Sequence, residues 1–283
     1  MRYVAAAAFF FSLMSLLVRL SGGAGLTTME VVLGRSLVVL VLSWTFLKRR
    51  GLSALGEDRT LLFVRGVVGF IALSCFYFAL IHLPLADATV IQYTNPVWTA
   101  LLAALLLAEP IGRKEVALSL ISLGGVVLMA RPSFLFGGGA PGLPPGPVAV
   151  GVVGALFSGL SYVAVRRLAR SDAPLVVVYW FALVSTLGAI PFVVRDFTLP
   201  GPRALALLGA VGVATYLGQV LITMGLREER AGRAMGVAYL QVVFAATWGA
   251  IVLREFPDRW TFGGAAVILG STWLLARMRS PTL

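Results

Sequence analysis

Phe11-Ser12-Leu13-Met14-Ser15 lies inside an unbroken apolar run and returns as Phe157-Ser158-Gly159-Leu160-Ser161, an offset of 146 residues. At the same offset Ala88 and Tyr93 fall on Ala234 and Tyr239, Glu109 on Glu255, Gly124 on Gly270 and Arg131 on Arg277. A chain that matches itself at one fixed offset is built from repeats. The offset divides it into 1–131 and 148–283. Residues 132–147, uncharged and rich in Gly and Pro, read as the linker between them.

Composition says what fills each copy. With 59% hydrophobic and 12% charged residues, the 283-residue chain has too much apolar surface to hide in a soluble globule, so lipid must be its solvent. A spanning helix needs about 20 mostly apolar residues. Runs between charges and Gly/Pro breaks predict ten spans: 3–20, 28–47, 61–83, 87–108, 116–130, 148–168, 175–194, 204–226, 234–253 and 260–275. The predicted fold is therefore an all-α, multi-pass membrane protein. Five spans per copy is an odd number, so the second copy should run through the membrane inverted, as in many secondary transporters.

An even total puts both termini on one side. That side carries Arg2, Lys48, Arg49, Arg50, Arg59, Arg113, Lys114, Arg166, Arg167, Arg170, Arg227, Arg230, Arg233, Arg277 and Arg279, whereas Arg131, Arg195, Arg203, Arg254 and Arg259 lie opposite. The positive-inside rule makes the richer side cytoplasmic and the protein a resident of the cytoplasmic membrane. The fifth and tenth spans are short and punctuated by glycine, which predicts close packing against neighbouring helices or a homodimer contact.

Several classes drop out. A net charge of +11 suggests nucleic acid in a soluble protein, but here the basic residues sit at the ends of apolar runs and form no aromatic-rich track. Cys75 and His82 are each alone, so no disulfide, no Cys or His metal cluster and no hydrolase triad is expected, and no cofactor. The basic start and Ser21-Gly22-Gly23-Ala24-Gly25 resemble a signal peptide, yet the match to the sixth span argues that the segment is retained.

Four stretches carry a likeness to known sequences: Tyr77-Phe78-Ala79-Leu80-x-x-Leu83-Pro84-Leu85-Ala86-Asp87-Ala88, Asn95-Pro96-Val97, Leu105-Leu106-Leu107-Ala108-Glu109-Pro110 and Gly124-Gly125-Val126. With them the chain resembles, over nearly its whole length, the EamA-type members of the drug/metabolite transporter superfamily. The resemblance implies ten helices, cytoplasmic termini, a central cavity between the repeats and alternating access. Substrates across that family include amino acids, nucleotide-linked sugars and phosphorylated sugars. The second copy departs from the pattern with Val242 at the position of Pro96 and with Phe256-Pro257, so its ninth helix is expected to be straighter.

Polar groups in hydrocarbon are costly unless they face a cavity or another helix. Ser12, Ser15 and Arg19 share one helical face, Tyr216, Gln219 and Thr223 another, and Gln92, Asn95 and Thr99 a third. With Arg35, Tyr77, Trp98, Ser158, Tyr239 and Gln241 these stripes supply the candidate solute-binding residues, suited to a small polar or amphipathic solute. The competing readings are serine bonding to its own backbone, amides joining helices, and Tyr93, Tyr239, Trp98 and Trp248 acting as packing. Pro96 is either a hinge or a static kink.

Three arginines fall within spans. Arg65 should snorkel to the cytoplasmic end and Arg19 should pair with Glu30, leaving Arg35 to hold a carboxylate or phosphate unless Glu30 or a carbonyl takes it. Glu30, Asp87, Glu109 and Glu255 lie near span ends, where caps or ion pairs with Arg113 or Arg254 account for them. The reading that follows is a secondary transporter of small organic metabolites. A cation or drug exporter is disfavoured by the arginines and by the lack of an acid deep in the first span. A membrane-embedded enzyme would need a convergent catalytic set, and a receptor would lack a water route from both sides.

Overall fold

The computed structural model describes residues 1–22, 26–83, 85–109, 112–136, 143–194, 200–254 and 258–278, and every regular element among them is helical. The first half holds α1 (Arg2–Gly22), α2 (Thr28–Arg49), α3 (Arg59–His82), α4 (Leu85–Gln92), α5 (Asn95–Leu107) and α6 (Arg113–Ala130). One helical turn, α7 (Ser133–Phe136), sits inside the expected linker. The second half holds α8 (Pro145–Leu168), α9 (Pro174–Val193), α10 (Pro202–Glu228), α11 (Ala231–Ala238), α12 (Leu240–Val252) and α13 (Arg259–Arg277).

Local chemistry sets the helix starts. Thr27 and Glu30 form a reciprocal capping box on α2. Asp58 caps α3 through the Leu61 amide at 2.9 Å, and Asp258 caps α13 through the Thr261 amide at 2.9 Å. Prolines open α8, α9 and α10, where the missing N–H has no partner to lose.

Eight helical stretches are long and apolar enough to cross a membrane, and two of them, Asp87–Leu107 and Ala231–Val252, each join two shorter helices. The shorter helices α6 and α13, expected as the fifth and tenth spans, fall outside those eight; α6 opens on Arg113, Lys114 and Glu115. Large apolar side chains point outward, among them Val41, Leu105, Phe192, Ile251 and Phe262, while Arg35, Arg65, Asp87, Asn95 and Arg166 are buried. Apolar outside and polar inside is the arrangement lipid requires.

Helices of the two halves interleave. α1 packs on α10 and α12, whereas α8 packs on α3 and α5; α2 packs on α9 and α10, and α9 also on α3; α6 packs on α13. Exchanging each helix in these pairs for its repeat counterpart gives back the same pairs. The contacts repeat at residue level too. A Cβ at Gly66 would stand 2.7 Å from Val184, and the equivalent pair, Gly212 and Val38, is in equally close contact. The α6–α13 seam is closed by Ser122 and Ser271, whose hydroxyls are 2.7 Å apart, and by Gly125, where a Cβ would stand 2.8 Å from the Gly264 carbonyl. The expected close packing of these two helices is thus made within the chain.

Candidate functional site

The fourth and ninth spans are both interrupted, at Tyr93–Thr94 and at Tyr239. In the first copy the cause is Pro96. Having no N–H, it cannot bond the Gln92 carbonyl, and the Asn95 side-chain amide donates to that oxygen instead, at 2.9 Å. The Val97 amide turns to Thr94, at 3.0 Å. That releases the Tyr93 carbonyl, which accepts the Tyr239 hydroxyl at 3.0 Å. The two tyrosine rings stack with centroids 6.2 Å apart. The ninth span, expected to be straighter for want of a proline, breaks at the equivalent residue, though over one residue rather than two.

Next to this crossing lies a charged group that spacing alone misplaces. Arg65, expected to snorkel, is only 3% exposed. Its guanidinium lies 3.8 Å from the centroid of the Phe181 ring, and Nη2 donates to Gln219 Oε1 at 3.3 Å. Nε and Nη1 have no hydrogen-bond partner among the described residues, and no carboxylate of those residues pairs with it. Gly69 makes the room: a Cβ there would stand 2.8 Å from Arg65 Nη1 and from Phe181 Cε2. The Tyr162 phenol is within electrostatic reach of both Arg65 and Tyr93, linking the arginine to the helix break. Arg65, Tyr162 and Phe181 were absent from the sequence-derived candidates; Gly69, four residues after Arg65 on one helical face, was the available signal.

The structure distributes the expected residues as follows. Gln92 Nε2 donates to Ser158 Oγ at 3.1 Å, joining the halves, and Gln92 Oε1 is buried with no partner among the described residues, as is Asn95 Oδ1. Trp248 Nε1 donates to Ser12 Oγ at 3.1 Å, a second junction. Ser15, Thr99 and Thr223 donate to carbonyls one turn back in their own helices. Tyr216 stacks on Phe46 and Tyr77 is buried beside Val32 and Ala189. Trp98 and Gln241 are half-buried, and Trp98 lies where α5 closes on Gly159 of α8. Arg35 is 5% exposed; its Nη1 reaches the Met14 sulfur, at 3.9 Å, and Nε has no hydrogen-bond partner among the described residues.

Among the carboxylates, Glu30 takes the expected cap, whereas Glu109 pairs elsewhere than expected. Glu30 is held in the Thr27 capping box, where the Thr-x-x-Glu spacing announces it. Glu109 joins the other half rather than Arg113: Arg166 Nε donates to it at 2.7 Å and the Ala231 amide at 3.0 Å. Arg166, 2% exposed, also donates to the Leu226 and Arg227 carbonyls, so one buried cluster ties four helix ends together. Asp87 is fully buried in the first turn of α4; Oδ2 accepts from Ser133 at 2.7 Å and Oδ1 has no partner among the described residues. Asp258, outside the spans, is held below the ordinary carboxylate range by the Thr261 amide and hydroxyl, and it pairs with Arg131 at 2.9 Å. Glu255 lies outside the described residues. A cleft of about 740 Å³ opens at the basic end between Asp58, Leu106 and Arg170, away from the tyrosine crossing.

A family model for EamA-like transporters matches the chain twice, over residues 2–131 and 146–277. The chain belongs to the EamA-like transporter family. This EamA-like chain is 32% identical over 274 residues to the pseudopaline exporter CntI of Pseudomonas aeruginosa, covering 96% of the chain and 94% of the exporter. A probable transport protein of Saccharomyces cerevisiae is 34% identical over 242 residues, 78% of this chain and 69% of its own. Solute carrier family 35 member G1 of Mus musculus is 28% identical over 285 residues, covering 95% and 76% of the two chains. A crystal structure covering 98% of both chains superposes with a TM-score of 0.80 at 22% identity, which is a likeness of fold. Membership and the apolar helices together make the protein a multi-pass membrane protein.

Proposed function

We propose that the chain is a secondary transporter that moves a small organic metabolite, such as an amino acid or related amphipathic solute, across the cytoplasmic membrane by alternating access. Its ten spans form two inverted five-helix repeats, 1–131 and 148–283, joined by 132–147, with both termini cytoplasmic. The observation that carries this reading is the contact between Tyr93 and Tyr239. Residues related by a repeat meet each other only on the axis that relates the two copies, and five spans per copy lay that axis in the membrane plane. The matching sets of helix neighbours support the same two-fold relation.

The halves rock about this crossing, and Gln92, Asn95, Ser158, Gln219 and Gln241, together with Ser12, Ser15, Arg35, Tyr77, Trp98, Tyr216, Thr223 and Tyr239, line or support the route. Pro96 serves as the hinge. The likeness to an exporter favours outward movement. A homodimer would use the outward faces of α6 and α13, where Gly124, Gly263 and Gly270 have open space, because their inward faces are spent on each other.

One observation favours a second reading. The buried carboxylate of Asp87 suits a proton-linked exporter of cations, although Arg35 and Arg65 oppose a cation on the same route. The test is counterflow in liposomes with labelled amino acids, nucleosides and organic acids, with and without an imposed pH gradient. Accumulation of a labelled metabolite driven by its unlabelled pool is the expected result; turnover of a compound without movement would replace the transporter reading with an enzyme.

A further inference from the structure

Arg65 and Arg35 are related in a way neither reveals alone. On the α3–α9 face Arg65 lies over Phe181. Shifted by one repeat, that pair becomes Val211 and Arg35 on the α10–α2 face. The two faces are equivalent, as the pairs Gly66–Val184 and Gly212–Val38 show. Each face therefore carries one arginine, supplied from opposite partners: α3 provides it on one and α2 on the other. Arg65 lies about 9 Å along the helix axis from Arg59 at the basic end, and Arg35 about 10 Å from Thr28 at the other, taking about 1.5 Å per residue. The midplane lies between them.

Both guanidiniums are more than nine-tenths buried, and neither forms an ion pair among the described residues. Packing alone does not call for this. A buried charge without a counter-charge is among the most costly groups a membrane helix can carry, and at the other position of each pair the fold uses Phe or Val. Arg65 holds two buried nitrogens, Nε and Nη1, without partners, and Arg35 holds Nε. Gly69 lets the Arg65 guanidinium and the Phe181 ring come close to the α3 backbone, where any side chain would collide with both.

We propose that Arg65 and Arg35 are two stations for one carboxylate on the transported solute, the first serving the basic end and the second the opposite end as the halves rock. This rests on the transporter reading. A single guanidinium neutralises a single carboxylate, whereas a phosphate dianion would leave net charge in the membrane. The unpartnered oxygens of Gln92 and Asn95 lie near the Tyr93 break and accept uncharged donors from the rest of the solute, such as a hydroxyl or amide group. Tyr162 and Ser158, one turn apart on α8, connect the two regions.

The test uses the full chain in neutral detergent, with thermal unfolding followed through tryptophan fluorescence. The probes are benzoate, its uncharged analogue benzamide, inorganic phosphate at matched ionic strength, and phosphatidylglycerol. Benzoate should raise the wild-type midpoint by a few degrees and benzamide should not. Arg65→Met and Arg35→Met should each weaken the response and the double variant should abolish it, while the ligand-free midpoint of Arg65→Met stays level or rises. Arg65→Gln serves as a second variant if the methionine fails to fold. No response to benzoate, an equal response to benzamide, a response to phosphate or phosphatidylglycerol in its place, or an undiminished response in the double variant overturns the proposal. Benzoate binding without solute movement in liposomes would leave the stations standing and remove the transporter reading.

Discussion

Tyr239 donates its phenol hydrogen to the backbone carbonyl of Tyr93, its own repeat counterpart, at 3.0 Å. One bond thus closes the helix break in the first copy with a side chain from the second. Removing it should leave that carbonyl buried and unpaired, at a cost of about 1–3 kcal/mol. Tyr239→Phe should lower the thermal midpoint in detergent clearly, and Tyr93→Phe, which keeps both ring and carbonyl, should lower it less. Equal effects would mean that the Tyr239 hydrogen bond contributes no more than the loss of any one phenol hydroxyl at this crossing.

Pro96 and Asn95 should be energetically coupled. Asn95→Ala alone orphans the Gln92 carbonyl and is expected to cost about 1–3 kcal/mol. In the background Pro96→Ala the restored amide can take that carbonyl, so the same substitution should cost little. A double-mutant cycle by chemical or thermal unfolding reads the difference; purely additive effects would detach the asparagine from the break.

Much of this arrangement is legible in the sequence, and the parts that are not have a common cause. The offset linking Phe11-Ser12 to Phe157-Ser158 and the charge clusters between apolar runs outline the spans, because lipid imposes length and polarity on each segment separately. Asn95-Pro96 marks the first helix break for the same local reason. The second break has no local signal, since it arises where one span crosses the other. Depth along its own helix predicts that Arg65 snorkels, and it says nothing of Gln219 and Phe181, which arrive from the other half. For Glu109 the sequence offers a cap or a nearby ion pair such as Arg113, but its partner is Arg166, fifty-seven residues on. Long-range pairing is what spacing along one chain cannot express.

That Glu109 cluster gives a third prediction. Arg166 is buried and shares its charge with Glu109, so Glu109→Ala removes one partner of a buried pair. Such a change costs about 3–5 kcal/mol and should strongly depress folded yield and thermal midpoint, whereas Arg113→Ala, lacking that contact, should be mild. A wild-type midpoint for Glu109→Ala would show that the cluster is not structural.

The glycines of α6 separate packing from association. Gly125→Val pushes a side chain into Ile268 and the Gly264 carbonyl and should destabilise by about 1–3 kcal/mol. Gly124→Val meets open space and should leave the fold unchanged. If the outward faces of α6 and α13 form a homodimer, Gly124→Val should also shift the protein toward monomer in size-exclusion chromatography with light scattering.

The transport account rests on the two halves threading the membrane in opposite senses. In a Cys75→Ser background, Tyr3→Cys and Val148→Cys mark the starts of the first and sixth spans. A membrane-impermeant maleimide applied to intact cells and to inverted vesicles should label these two positions from opposite faces, Tyr3→Cys from the cytoplasmic side. Labelling of both from the same face would contradict the inverted repeat and the alternating-access mechanism built on it.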